Sequence, residues 1–279
     1  MHPAWQGKTA VITGGGSGIG RALAHALAGR GATVIVTDID LPAAQKVAAE
    51  CAGASAHALD VRDADAVRTL VEAAAREHGR LDYIFNNAGI AVGGETEEIS
   101  AAAWDRVIDI NLRGVINGVM AAYPIMLAQG CGHIVNTASL AGLVPAPLLT
   151  PYAMSKHAVV GLSTSLRIEA ARRGVRVSVL CPAAIETPLL DTVGVAGLPP
   201  PLWIPNARRF LARLSGPPHP VARFAEEALA AILRNQAVIV IPGRARIGWR
   251  IGRLFPRLVE KISQGAVQAE RDERKRGLG

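Results

Sequence analysis

Tyr152 and Lys156 stand four residues apart in Tyr-Ala-Met-Ser-Lys, thirteen residues after Ser139. Side chains at that offset on a helix share a face, so the spacing sets a phenol beside an ammonium. A neighbouring cation favours the phenolate and draws a tyrosine pKa down from about 10. A tyrosine tuned that way passes protons near neutral pH. The other two tyrosines, Tyr83 and Tyr123, have Asn87 and Leu127 at the same offset, so the pair is singular in this chain. Two residues at one spacing are weak evidence alone, and the elements around them must supply the context.

Those elements alternate. Short β-branched runs at 8–13, 32–37, 54–59, 81–85, 132–137, 175–180 and 237–241 read as strands. Helical patterns lie between them at 21–28, from Pro42 onward, and at 64–77, 101–128, 152–172 and 224–234. Such alternation predicts an α/β fold, a doubly wound parallel sheet of about seven strands with helices on both faces. Residues 1–243 read as a single domain, with neither repeat nor low-complexity linker, and 244–279 as a C-terminal extension.

Half of the 279 residues are hydrophobic, enough for a sizeable core. The net charge of +7 is concentrated, because residues 244–276 hold ten basic and four acidic side chains while the body is nearly neutral. A nucleic-acid partner needs a basic stripe across the fold, and none is present. Uninterrupted apolar runs fall short of the ~20 residues of a membrane-spanning helix. The first residues lack the apolar stretch of a signal peptide, so a cytoplasmic location is expected. Cys51, Cys131 and Cys181 match neither a disulfide framework nor a zinc site and are expected as small core thiols. His57, His78, His133 and His157 have no metal-ligand spacing, and no metal is expected.

Thr13-Gly14-Gly15-Gly16-Ser17-Gly18-Ile19-Gly20 joins the first strand to the first helix. Glycines let the backbone approach a pyrophosphate, and the helix N-terminus attracts its charge. Asp38 ends the second strand, where a carboxylate accepts hydrogen bonds from both ribose hydroxyls and repels a 2′-phosphate. Ser17 and Ile39 offer no compensating cation, and Asp40 adds negative charge, so NAD is expected over NADP.

With both ends in view, the chain resembles the short-chain dehydrogenase/reductase family over roughly residues 7–243. The matching motifs are Thr13-Gly14-x3-Gly18-Ile19-Gly20, Asp60-Val61, Asn86-Asn87-Ala88-Gly89, Asn111, Ser139 and Tyr152-x3-Lys156. The resemblance implies a Rossmann-type fold and hydride transfer between NAD(H) and a secondary alcohol or ketone. By the same resemblance Tyr152 is the acid/base, Lys156 also holds the nicotinamide ribose, and Ser139 steadies the substrate oxygen. It implies that Asn111 breaks its helix locally and holds a water of the proton relay. Asp60 and Val61 are expected at the adenine, and Asn87, Ala88 and Gly89 at the adenosine ribose. Pro182, Ile185 and Thr187 follow strand six near the nicotinamide carboxamide, with Ala183 where the family usually has glycine. A homodimer or homotetramer is expected by resemblance only. Taken singly, several of these residues have plainer readings: Asp60 as a helix cap, Asn86-Asn87 as a turn, and Asn111 as a solvated helix residue.

The segment 188–220 is expected as a lid, its Leu189, Leu190, Val193, Leu202, Trp203 and Ile204 favouring an apolar or bulky substrate or else filling core. Beyond 243, Ile247, Ile251, Leu254, Leu258 and Ile262 recur at helical spacing beside Arg246, Arg250, Arg253, Arg257 and Lys261. This is a basic amphipathic helix, kinked near Pro256, that can lie on an anionic membrane or pack on the body or a second subunit. Three functions stay open: an NAD-dependent dehydrogenase or an NADP-dependent carbonyl reductase, a non-catalytic dinucleotide sensor or scaffold, and a membrane-surface adaptor. The set Asn111, Ser139, Tyr152 and Lys156 favours the first.

Overall fold

Runs of β-branched residues bounded by glycine and helix caps build a sheet in a computed structural model that describes residues 4–194 and 197–277, Leu214 and Ser215 by backbone alone. The order is β1 (Thr9–Thr13), α1 (Gly18–Ala28), β2 (Thr33–Asp38), α2 (Leu41–Ala49), β3 (Ser55–Ala58), α3 (Ala64–Glu77) and β4 (Tyr83–Asn86). Then come α4 (Ala101–Ile108), α5 (Gly114–Gln129), β5 (Gly132–Thr137), α6 (Thr150–Ala170) and β6 (Val175–Pro182). The chain continues through α7 (Ala207–Ser215), α8 (Val221–Leu233), β7 (Val238–Ile241), α9 (Gly243–Leu254) and α10 (Pro256–Lys275). All seven strands are parallel, in the order β3-β2-β1-β4-β5-β6-β7. The expected Rossmann-type doubly wound sheet is what forms.

Alternate strand residues feed opposite faces. Ala10 and Ile12 of β1 join Leu23 and Leu27 of α1 and Phe224 and Leu229 of α8 on one face. Val11 joins Val71 of α3, Val119 and Met126 of α5 and Val159 of α6 on the other. β1 pairs with both β2 and β4, so the winding reverses there. Loops part at that reversal and leave a crevice beyond the carboxyl ends of the strands.

Four expectations need correction. The helical stretch 101–128 is two helices joined by a π turn at Asp109–Arg113. The span Ala101–Gln129 is long and apolar enough by composition to cross a bilayer, although its uninterrupted runs are short. Here it packs Val115, Val119, Ala122 and Met126 into the core instead. The lid segment holds an unforeseen helix, α7, capped by Asn206, whose side chain accepts from Arg209 N at 2.9 Å. The tail is two helices rather than one kinked helix: Pro256 starts α10, and Phe255 before it, at φ −128 and ψ 65, has left the helical region that a following proline disfavours. Cys131 is exposed, whereas Cys51 and Cys181 are buried as expected.

Ion pairs strap α10 to the body. Glu270, fully buried, accepts from Arg209 at 2.8 Å and Arg213 at 2.6 Å, both on α7. Glu273 pairs with the same two arginines. Arg271 meets Glu95 at 2.7 Å and Arg274 meets Glu98 at 2.8 Å. Trp203, read as lid or core, and Phe210 of the same 188–220 segment are core beneath α10, against Ala266 and Val267.

Glu270→Ala leaves two arginines without their shared buried acceptor, costing about 1–3 kcal/mol of α10 docking. Hydrogen exchange is expected to speed up across 256–275 and to stay unchanged in β1–β6. Acid weakens the fold in two steps. His133, buried against Ser178 Oγ at 2.9 Å, is pushed down to about 3 by burial and then by Arg176 and Arg167. The unfolded chain binds a proton that the folded chain refuses once pH drops below the ordinary 6.5. Stability then falls by up to about 1.4 kcal/mol per pH unit. The Arg271 hydrogen bond holds Glu95 below its ordinary 4.5, so that pair contributes above this value and is lost as pH falls further. Thermal unfolding from neutral pH to about pH 5 is expected to show the first decline, and His133→Gln to flatten it.

Candidate active site

The crevice beyond the strands is a cleft of about 1130 Å³. The β1–α1 turn forms its floor at one end. Gly14 has φ +62, and a Cβ there would lie 2.8 Å from Ala88 Cα, so this contact between the turn and the β4 loop requires glycine. A Cβ on Gly20 would lie 2.1 Å from Gly14 O, which fixes the close docking of α1 on the turn. Ser17 is the N-cap of α1 but makes no side-chain cap bond, so its hydroxyl and the helix N-terminus suit a phosphate. Asn87 ties the same turn to β4: its Nδ2 donates to Thr13 O and Gly14 O, each at 3.1 Å.

Asp38 is fixed before any ligand arrives. Its Oδ2 accepts from Gly16 N at 2.9 Å, and its Oδ1 from Asp40 N at 3.1 Å. The cap of α2 is Asp40, whose side chain accepts from Ala43 N, so Asp38 is not serving that helix. Asp60 is likewise no helix cap, since α3 is capped by Asp63. The Arg62 hydrogen bond holds the Asp60 carboxyl below its ordinary value. Beside it Val61, Arg62, Arg106 and Ile110 wall the far end of the cleft.

At the other end, α6 presents Tyr152 and Lys156. Lys156 is buried and donates to Thr137 O at 2.9 Å, and its Nζ lies 5.6 Å from the Tyr152 ring centroid. Burial pushes the lysine down to about 8. Tyr152 also departs from expectation: burial raises its pKa, against a lowering hydrogen bond from Ser139. Desolvation outweighs the Ser139 hydrogen bond, and the Lys156 ammonium spends its own hydrogen bond on Thr137 O. Ser139 follows β5, accepts from Ala141 N at 3.2 Å, and donates to Pro182 O at 3.4 Å.

Asn111 sits in the π turn and is completely buried, which rules out the solvated reading. Its Nδ2 donates to Ile90 O at 2.9 Å and Ser155 Oγ at 3.1 Å, while Oδ1 accepts from Ile90 N at 2.8 Å. A Cβ on Gly89 would lie 3.2 Å from Asn111 Oδ1 and 3.3 Å from Lys156 Nζ, so both polar groups face one point above that glycine. π turns recur at functional sites, where they turn a residue inward at the cost of helix regularity.

Sixteen of the residues picked from sequence line this one cleft: Gly14, Ser17, Gly18, Ile19, Asp38, Asp60, Val61, Asn87, Ala88, Gly89, Ser139, Tyr152, Lys156, Pro182, Ile185 and Thr187. Gly20 and Asn111 stand behind its wall. Ala183 needs no special backbone: it is not among the positive-φ residues, and its N–H donates to Ile241 O at 2.9 Å. Of the lid residues, Leu189, Leu190 and Val193 reach the cleft, whereas Leu202 is exposed and Ile204 lines a smaller neighbouring hollow.

Sequence reasoning missed the structural role of Gly16 and of Thr13, whose Oγ1 accepts from Asn87 N at 2.9 Å. It also missed that the tail walls the cleft, through Trp249, Ile251, Leu258, Val259 and Ile262. Their apolar spacing was visible; the direction they face was not. Among the described residues no group of three metal-binding side chains occurs.

Comparison with known proteins bears on this geometry. Residues 8–195 match the family described as short chain dehydrogenase. The chain is 42% identical over 197 residues to a cyclohexanol dehydrogenase of Acinetobacter sp. (strain SE19), covering 68% of this chain and 78% of that one. A short chain dehydrogenase/reductase of Burkholderia phymatum, solved in complex with NAD, superposes with a TM-score of 0.82 at 34% identity, over 91% of this chain and 95% of the other. A 3-ketoacyl-(acyl-carrier-protein) reductase of Brucella melitensis, complexed with NADH, superposes with a TM-score of 0.75 at 31% identity, over 86% and 99%. The chain belongs to the short-chain dehydrogenase family.

Proposed function

We propose that the protein transfers a hydride between NAD(H) and an apolar or bulky secondary alcohol or ketone, with Tyr152 as general acid/base. The observation that carries this reading is the single cleft. It runs from a glycine turn and a fixed carboxylate at one end to Tyr152, Ser139 and Lys156 at the other.

Bound NAD supplies the hydride acceptor and a positive charge beside the phenol. The chain's own residues do the rest. Gly14 to Gly20 and the N-terminus of α1 receive the pyrophosphate, and Asp38 accepts from the adenosine ribose hydroxyls. Asp60 and Val61 border the adenine. Asn87, Ala88 and Gly89 pack by its ribose, and Pro182, Ile185 and Thr187 meet the carboxamide. Ser139 Oγ hydrogen-bonds the substrate oxygen, and Tyr152 Oη exchanges the proton with it. Lys156 biases the phenol by its charge, and Asn111 holds the π turn that opens toward it.

The cleft lining carries apolar side chains from the body and lid, Leu149, Leu190 and Val193, and from the tail, Trp249, Leu258 and Ile262. That suits a hydrocarbon ring better than a sugar, and the similarity to a cyclohexanol dehydrogenase agrees with it. The reading includes a cytoplasmic homodimer or homotetramer with peripheral membrane contact through 244–279.

NADH absorbance across a panel of cyclic secondary alcohols, linear alcohols and sugars tests the reading. Cyclic alcohols are expected to turn over fastest; retention of NAD with no turnover of any alcohol or ketone would favour a sensor instead. Tyr152→Phe is expected to lose about 10²–10⁴ of kcat with NAD affinity kept, as measured by turnover and calorimetry. Because burial raises the Tyr152 pKa, the phenol is protonated at neutral pH and ready to donate in carbonyl reduction. Alcohol oxidation needs the phenolate, so its kcat/KM is expected to climb about tenfold per pH unit above neutrality while reduction stays level. Asp38→Ser is expected to shift the NAD to NADP ratio of kcat/KM toward NADP by about tenfold or more, since charged hydrogen bonds contribute about 1.5–3 kcal/mol.

A further inference from the structure

Six of the twelve large apolar side chains exposed among the described residues fall between Ile247 and Ile262. They are Ile247, Ile251, Leu254, Phe255, Leu258 and Ile262, and the bend between α9 and α10 carries Leu254, the most exposed of the six at 74%, with Phe255 beside it at 58%. The helices cross closely at this end, where a Cβ on Gly252 would lie 3.0 Å from Val259 Cγ2. The distal half of α10 differs: Glu270, Arg271, Glu273 and Arg274 are all spent on ion pairs to the body. One half of the hairpin is anchored, and the other holds its apolar side chains out to solvent.

Charge decides what covers that half. Residues 243–262 contain Arg244, Arg246, Arg250, Arg253, Arg257 and Lys261 against one acidic residue, Glu260. A second copy presenting the same face would meet like charge with like. An anionic lipid surface meets it with opposite charge, each basic side chain near such a surface contributing about 1 kcal/mol. An apolar ridge flanked by arginine, with Trp249 at its edge, has the composition of an interfacial helix. The position of the ridge adds a reason for membrane contact, because Ile251, Leu258 and Ile262 are exposed and also line the substrate cleft.

We propose that the α9–α10 bend docks on an anionic membrane surface, with the mouth of the substrate cleft facing the lipid, so that apolar substrate is drawn from the bilayer. The docking stands on this geometry alone; the loading of substrate rests on the function proposed above. The proximal hairpin inserts Leu254 and Phe255 among acyl chains, and the flanking arginines meet the headgroups.

The test is co-sedimentation of the full chain with phosphatidylcholine vesicles, with and without phosphatidylserine. The wild-type protein is expected to pellet with the phosphatidylserine vesicles and to be partly released by salt. The Ile247→Ser/Leu254→Ser/Phe255→Ser variant, altered outside the cleft lining, is expected to stay in the supernatant with native thermal stability. Wild-type protein that stays in solution with both vesicles overturns the docking, as does a variant that pellets equally. A smaller oligomeric mass for the variant on size exclusion assigns the ridge to a second copy and also overturns it. Pelleting requires no turnover, so its outcome is independent of the enzymatic reading. Loading is read separately, from a lower apparent KM for an apolar ketone when vesicles are present. No change in KM with docked protein would remove the loading step.

Discussion

A buried amine governs the geometry of this cleft. Lys156 is 3% exposed and has its hydrogen bond at the end of β5, through Thr137 O. Burying a cationic group is costly, which pulls the amine down to about 8, and that carbonyl offsets part of the cost. The position of Nζ is thereby set by the sheet and not by a loop. Gly89 leaves room beside it, the π turn aims Asn111 toward the same point, and α6 holds Tyr152 one turn earlier.

This balance explains why the pair behaves unlike its sequence spacing alone. The four-residue offset was enough to place phenol and amine side by side, and they are. It carried no information about dielectric. In water the ammonium would dominate; in the cleft, desolvation dominates and moves both groups toward neutrality. At neutral pH the phenol is protonated and the amine still largely charged, a pair that responds to a charge brought in beside it.

Legibility followed the range of the forces involved. Strand runs, glycine turn and caps are local, and residues such as Thr13, Gly14 and Asp38 stood where their neighbours in sequence implied. The break at Asn111 was readable only through resemblance, because a π turn is stabilised by Ile90 and Ser155, which are distant in sequence. The tail was half readable: the apolar period of Ile247 to Ile262 announced a face, but not that Val259 and Ile262 would turn to the cleft. That choice is made by Glu270 with Arg209 and Arg213, pairs some sixty residues apart which no local pattern encodes. The lid divided likewise, since Trp203 and Phe210 found core only because α10 lies over them.

The extension therefore joins two physical environments. Its distal half is bonded into the body by carboxylate–arginine pairs, one carboxylate of which, Glu270, is fully buried, and such pairs position more than they stabilise. Its proximal half keeps large apolar groups in water, a state a protein maintains where a partner is to be met. Leu258 and Ile262 of α10 are shared between wall and ridge. A force on the ridge is carried to the cleft through one continuous helix, with Glu270 as its fixed point. The apolar end of the cleft is consequently walled in part by the segment most exposed to whatever surface the protein touches, while the Tyr152–Lys156 end is built from α6 against the sheet.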